Sequence, residues 1–159
     1  MMEDHAVLLT KEGLTKLEQE LEHLKTVRRP EVAERIRVSK ELTSTQNNAE
    51  FDDAKNEQAF VEGRILTLDQ MITDATLIDE EHAHRATKVE VGSLVTVSEG
   101  KDKKGQEFHI VGSAEADPKE GRISNESPVG IALLGKRVGD AIQVNVPKGI
   151  LRYTITKIN

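Results

Sequence analysis

Two apolar runs at helical spacing, joined by a short polar stretch, constrain this chain more than any other feature. In the first run Leu14, Leu17, Leu21 and Leu24 step by 3, 4 and 3, and Val32 and Ile36 continue the stripe. In the second, Ala54, Gln58, Val61, Ile65, Leu68, Ile72 and Ala75 step alternately by 4 and 3. Such spacing keeps one side chain per half-heptad on a single helical face, which a partner helix must cover. The intervening LTSTQNN at 42–48 favours a turn, because hydroxyl and amide side chains compete with the helix for backbone hydrogen bonds. An antiparallel helical hairpin follows, a rod on the order of 45 Å long. Thr10 is placed to cap its first helix. Pro30 predicts a bend or local unwinding near Arg28, since its ring removes an i to i−4 hydrogen bond. A rod of this length reads either as a dimerising coiled coil or spacer, or as a probe that carries its tip where a globule cannot enter.

The rest of the chain differs in composition. Residues 1–79 hold 10 Lys+Arg and 17 Asp+Glu with two glycines, whereas 80–159 hold 12 and 11 with nine glycines. The second half is therefore turn-rich, and LVTV at 94–97, FHIV at 108–111, IQVNV at 142–146 and LRYTITKI at 151–158 alternate like strands of an antiparallel sheet with one buried face. Ser127, Pro128 and VGIALL, closed by Gly135, read as N-cap, N1 proline, short apolar helix and glycine stop. The expected architecture is α+β: a helical hairpin over 1–79 with its tip at 42–48, a linker at 80–88, and a sheet domain over 89–159. With 31% charged residues and apolar stretches only a few residues long, no membrane span is expected. Acids at Glu3 and Asp4 sit where an export signal would be basic, and no cysteine is present, so a cytoplasmic protein is expected.

Several motifs have ordinary explanations. GIALLGKR, Gly130 to Arg137, nearly fits a phosphate-binding P-loop, but Arg137 replaces the required hydroxyl and IALL suits a helix face. His82 and His84 lack further ligands, so a solvated linker is the better reading and no metal of the protein's own is expected. A net charge of −6 and only four aromatic residues argue against a basic, base-stacking surface. Arg28, Arg29, Arg35, Arg37 and Lys40 form a local exception that either meets a phosphate chain or pairs with Glu31, Glu34 and Glu41.

LTKEGLTKLEQELEHLK at 9–25, RRPEVAERI at 28–36, NAEFDDAKNEQAFVEGRI at 48–65, IVGSAEADPKEGRIS at 110–124 and SPVGIALLGKRVGD at 127–140 resemble the bacterial GreA/GreB transcript-cleavage factors over nearly the whole chain. The resemblance implies a coiled-coil hairpin that enters the secondary channel of RNA polymerase and an FKBP-like antiparallel domain that docks at the channel rim. It also implies contact with DNA at the family level. Members are accessory factors, so any RNA cleavage belongs to the polymerase active site and its Mg²⁺. The family tip reads G-D-L-x-E-N-A-E-Y, and this chain aligns as TSTQNNAEF from Thr43 to Phe51. Ser44 stands where the family has Asp and Asn47 where it has Glu. Asn48, Glu50 and Phe51 flank the altered pair. By resemblance Lys40 and Lys55 face the nascent RNA 3′ end, and Ser127 and Pro128 contact polymerase.

The resulting expectation is an elongation regulator that binds polymerase with little or no stimulation of cleavage, competing with other Gre factors. One alternative is an active factor whose metal is held by Glu41, Glu50 or water-mediated amides. Another is a prolyl isomerase, disfavoured because that half supplies only Phe108 and Tyr153 to line a pocket.

Overall fold

The computed structural model describes residues 7–42, 49–100 and 105–159; the side chain of Leu42 lies outside that description. Contacts divide the chain into two compact units, Leu14–Asp74, and Met1–Gly13 together with Ala75–Asn159.

The Leu14–Asp74 unit is helical. Helix α1 (Lys11–His23) begins before it and runs into a π-helical turn at Leu24–Arg28, then α2 (Arg29–Leu42), and α3 (Ala49–Thr73) returns. The expected unwinding at Pro30 takes the form of that π turn, in which the Arg29 N–H reaches the Leu24 carbonyl five residues back. Proline has no N–H to offer the Thr26 carbonyl and its ring crowds that oxygen, so a widened turn carries the helix past it. The seam is the one the spacing predicts: Val32, Val61 and Ile65 are buried together, with Leu21, Leu24 and Ile36 packed against them. Ala54 and Leu68 are also fully buried on α3. Ser39 extends the seam toward the tip, and its hydroxyl is satisfied by the Arg35 carbonyl of its own helix.

The second unit holds β3 (Leu94–Glu99), β4 (Gln106–Val111), β5 (Arg122–Ser124), α5 (Pro128–Leu133), β6 (Ala141–Val146) and β7 (Gly149–Ile158). Strand order is β5-β4-β3-β7-β6. Alternation aims Val95, Val97, Phe108, Ile110, Ile142, Val144, Tyr153 and Ile155 at one core, closed by Leu133 of α5. The sheet is mixed rather than wholly antiparallel, because β5 lies parallel to β4. Two 3-10 turns at Ser113–Glu115 and Pro118–Glu120 carry the chain back to the start of β4, which a tight hairpin could not do.

The unit boundaries also differ from the sequence division. A parallel ribbon pairs β1 (Val7–Leu9) with β2 (Ala75–Leu77), and Leu9 is fully buried. Residues before Leu14 therefore join the sheet unit. The stretch expected as a linker contains α4 (Glu80–Arg85), N-capped by Asp79 and burying Ala83. Both features rest on contacts between distant residues, which a three-residue strand or a six-residue helix cannot announce by periodicity.

Gly112 lets β1 approach: a Cβ there would stand 2.0 Å from the Leu8 carbonyl oxygen. Gly63, exposed in the interior of α3, has nothing within 4 Å of its would-be Cβ. Gly112→Ala should therefore cost more than about 2 kcal/mol by forcing the backbone apart. Gly63→Ala should stabilise by about 0.5–1 kcal/mol through helix propensity. Urea midpoints of the two variants check this: they are expected to move in opposite directions.

Candidate functional site

The hairpin end is framed by the last turns of α2 and the first turns of α3. Ser44, Asn47 and Asn48 lie outside the described residues; the flanking side chains are described. On the α2 side stand Arg35, Arg37, Lys40 and Glu41, and on the α3 side Glu50, Phe51, Asp52, Asp53, Lys55 and Glu57. Lys40 and Lys55 are exposed, Phe51 is half-buried, and the Lys55 ammonium donates to Gln58 Oε1 at 3.3 Å along its own helix.

The arginines of the first arm are committed largely to the opposite arm. Arg35 donates to Glu50 at 2.9 Å and also to Glu57, which Arg28 reaches as well. Glu50 and Glu57 are seven residues apart, hence on one face of α3, and one guanidinium fork spans them. Arg29 grips Glu62 through two bonds of 2.7 and 3.0 Å, and Arg64 grips Glu20 through two of 2.7 and 3.1 Å. Arg37 stays local, bonded to Glu34 at 2.6 Å and to Glu41 at 2.8 Å. Of the two readings of this basic stretch, ion pairing is realised, but Glu31, Glu34 and Glu41 supply only part of it. Glu50, Glu57 and Glu62 complete it. A signal for them existed in the opposite charge of the two arms at matching depth in an antiparallel register.

Hydrogen bonding from Glu34, with its charge and that of Glu41, raises the Arg37 guanidinium above its usual value. The same kind of bond from Glu62 raises Arg29. In return Arg37 and Arg29 hold the Glu34 and Glu62 carboxyls below the ordinary 4.5. All of these groups are open to solvent, so the pairs set local geometry more than stability.

Among the described residues no three His, Asp or Glu side chains come together as a metal site. His82 instead contacts Glu90 at 2.8 Å. The near P-loop is the end of a short helix and the turn after it: Gly130 donates its N–H to Ser127 Oγ at 3.1 Å and accepts from Leu134, and α5 ends at Leu133. Ser127 is the N-cap of α5, and its hydroxyl also donates to the Ser124 carbonyl at 2.7 Å, leaving Pro128 exposed at the first helical position. Phe108 and Tyr153 are buried edge to face, ring centres 5.7 Å apart, inside the sheet core. Both rings are thus part of the packed core, with 5% and 7% of their surface exposed.

Sequence reasoning also missed Glu115. Its carboxylate accepts from the Thr10 N–H at 2.6 Å and from the Thr10 hydroxyl, while Thr10 Oγ accepts from Gly13 N–H at 3.0 Å. Thr10 is the expected N-cap, and Glu115 completes the cap from 105 residues away.

The lowered carboxyls contribute a small part of the arm's acid response. A carboxyl lowered in the folded state contributes stability above its unfolded value, lost as pH falls through the folded one. For Glu34 and Glu62 that window opens below the ordinary 4.5. Thermal midpoints should fall on going from neutral pH to about pH 3, and fall less in the Glu34→Gln/Glu62→Gln double variant. Parallel curves for the two proteins would remove the assigned role.

The model for the N-terminal domain of transcription elongation factors matches residues 7–77, and the model for the GreA/GreB C-terminal domain matches 84–159. Transcription elongation factor GreA of Clostridium botulinum is 49% identical over 159 residues, covering 100% of this chain and 99% of its own length. GreA of Thermoanaerobacter pseudethanolicus is 52% identical over 152 residues, covering 96% of each. Among solved structures, the GreA factor homolog Gfh1 of Thermus thermophilus is 29% identical with a TM-score of 0.45, covering 98% of this chain and 99% of its own. With both domain models matched in order and full-length relatives near half identity, the chain belongs to the GreA/GreB family of transcription elongation factors.

Proposed function

We propose that this protein binds RNA polymerase, inserts its helical hairpin into the secondary channel, and modulates elongation with little or no stimulation of transcript cleavage. The observation that carries the reading is the pair Ser44 and Asn47, standing where the family's tip pattern has Asp and Glu. Mg²⁺ takes hard, preferably anionic oxygen ligands and gives up its waters reluctantly, so a hydroxyl and an amide are poor replacements for two carboxylates. One unit-charge pair at about 4 Å and an effective dielectric of about 20 is worth roughly 4 kcal/mol, or about three decades in a binding constant.

The donor set around the tip fits a second Mg²⁺ badly. Glu41 and Glu50, the acids nearest the altered positions among the described residues, are each bonded to an arginine. No step of metal-assisted hydrolysis is therefore assigned to this chain's residues. What the chain supplies is occupancy: a stiff paired-helix arm, with Lys40 and Lys55 exposed below the tip to meet the phosphates of a displaced RNA 3′ end. Exposed Pro128, held at the start of α5 by the Ser127 cap, is the corresponding contact at the channel rim.

An active cleavage factor is the second reading, favoured by the GreA name of relatives at about half identity. A transcript-cleavage assay on stalled elongation complexes separates the two. The protein is expected to leave the backtracked RNA nearly uncut while competing with an acidic-tip factor for the polymerase. Ser44→Asp with Asn47→Glu should restore cleavage by at least tenfold, a change of about 1.4 kcal/mol. Cleavage by the unaltered protein at the rate of an acidic-tip factor would overturn the proposal.

A further inference from the structure

Between Asn56 and Thr73 helix α3 carries four charged residues, and all of them pair with the opposite arm. Glu57 meets Arg28 and Arg35, Glu62 meets Arg29 at 2.7 Å, Arg64 meets Glu20 at 2.7 Å, and Asp69 meets Lys25 at 3.5 Å. Of the exposed positions in that span, only Glu62 bears a charge. The outward face is left to Asn56, Ala59, Phe60, Gly63, Leu66 and Thr67, with Gln70 and Thr73 beyond them. At about 100° per residue these positions share an arc of roughly 140°. Exposed Asp52, Asp53 and Lys55 bound the face at one end and exposed Asp74 at the other.

Phe60 and Leu66 are the most exposed large apolar side chains among the described residues, at 72% and 69%. They stand at the two edges of the arc. Ala59 and Gly63 lie between them, and a Cβ at Gly63 would meet nothing within 4 Å. The hydroxyls of Thr67 and Thr73 donate to the Gly63 and Asp69 carbonyls of their own helix, at 3.0 and 2.8 Å, and so have no proton to offer outward. Two apolar ridges over a low floor make a surface that side chains of another protein can enter.

Charge and area select the occupant. A nucleic acid needs cations against its phosphates, and this face has none. An anionic membrane surface likewise calls for a basic polar flank, whereas the flanking charges here are spent on the opposite arm. A protein surface that is itself uncharged and apolar fits. The face measures about 25 Å by 10 Å, on the order of 250 Å², where a stable complex buries about 800 Å² per partner. It is too small to hold a second copy of this chain by itself, and is sized for one contact within a complex already held elsewhere.

Resting on the polymerase-channel reading above, we propose that this face of α3 docks on an uncharged, apolar patch of RNA polymerase lining the channel. Phe60 and Leu66 are its anchors, and Gly63 is the point of closest approach.

The test measures the affinity of the labelled full-length chain for RNA polymerase. Phe60→Ala/Leu66→Ala removes the anchors from positions exposed in the free protein, and should weaken binding by at least about tenfold. That ratio should hold between about 0.1 and 0.5 M salt, because the lost contact is apolar. Gly63→Gln separates docking from folding: a helix-favouring side chain in open space should raise the urea midpoint of the free protein, yet weaken the complex by about tenfold. With photoreactive benzoylphenylalanine in place of Phe60, ultraviolet adducts should map to the polymerase channel lining.

Equal affinities of the unaltered and the doubly substituted protein overturn the proposal and leave the polymerase reading standing, as do adducts formed only with RNA. Absence of binding by the unaltered protein removes that reading, and this proposal with it. In sedimentation equilibrium the free chain is expected to be a monomer. A dimer that Phe60→Ala/Leu66→Ala dissolves would assign the face to a second copy and overturn the proposal.

Discussion

The apolar contact of Val32 with Val61 and Ile65 is what the rest of the helical unit depends on. A single helix of this composition has no reason to stay ordered alone, because its polar face is exposed and its stripe would face water. Fully burying a side chain of this size stabilises by about 1.5–3 kcal/mol, whereas an exposed ion pair contributes between nothing and about 1 kcal/mol. The seam therefore holds the arms together, and the charged residues flanking it choose their register. Ser39 shows the same economy at the tip end: a small hydroxyl bonded to its own helix continues the seam.

The seam has a functional corollary. It brings the basic face of α2 against the acidic face of α3, so the arginines at 28, 29 and 35 meet glutamates instead of presenting a continuous cationic track. The hairpin is thus laced with ion pairs along its flanks and altered at the end where its family carries acids. On the proposed reading such an arm fills a space and grips a metal ion poorly, because positions 44 and 47 offer a hydroxyl and an amide in place of carboxylates.

Much of this was legible beforehand because it rests on short-range periodicity. The heptad steps of the two runs place the seam, the Ser127-Pro128 pair places the cap of α5, and Pro30 marks where the helix must widen. The strand alternation of residues 94–97, 108–111, 142–146 and 151–158 likewise matches β3, β4, β6 and β7. What escaped was short or distant. β1, β2 and β5 are three residues each, too brief to show a period, and α4 is recognisable only once Ala83 is seen to be buried. Of the candidate site, the flanking acids and lysines were named from sequence, but the partners of the acids were not.

The residue types at the tip are fixed by sequence alone: whether position 44 or 47 offers a carboxylate oxygen is a matter of covalent chemistry, and no folding changes it. The same holds for the spacing that forces two helices to pair. Tertiary structure decided which charges meet, giving Arg35 to Glu50 and Glu57 and giving the Thr10 cap to Glu115. It also decided that the residues before Leu14 belong with the sheet. The reason is range: periodicity is read within a few turns of one element, whereas a guanidinium or carboxylate finds its partner only after the chain has closed on itself.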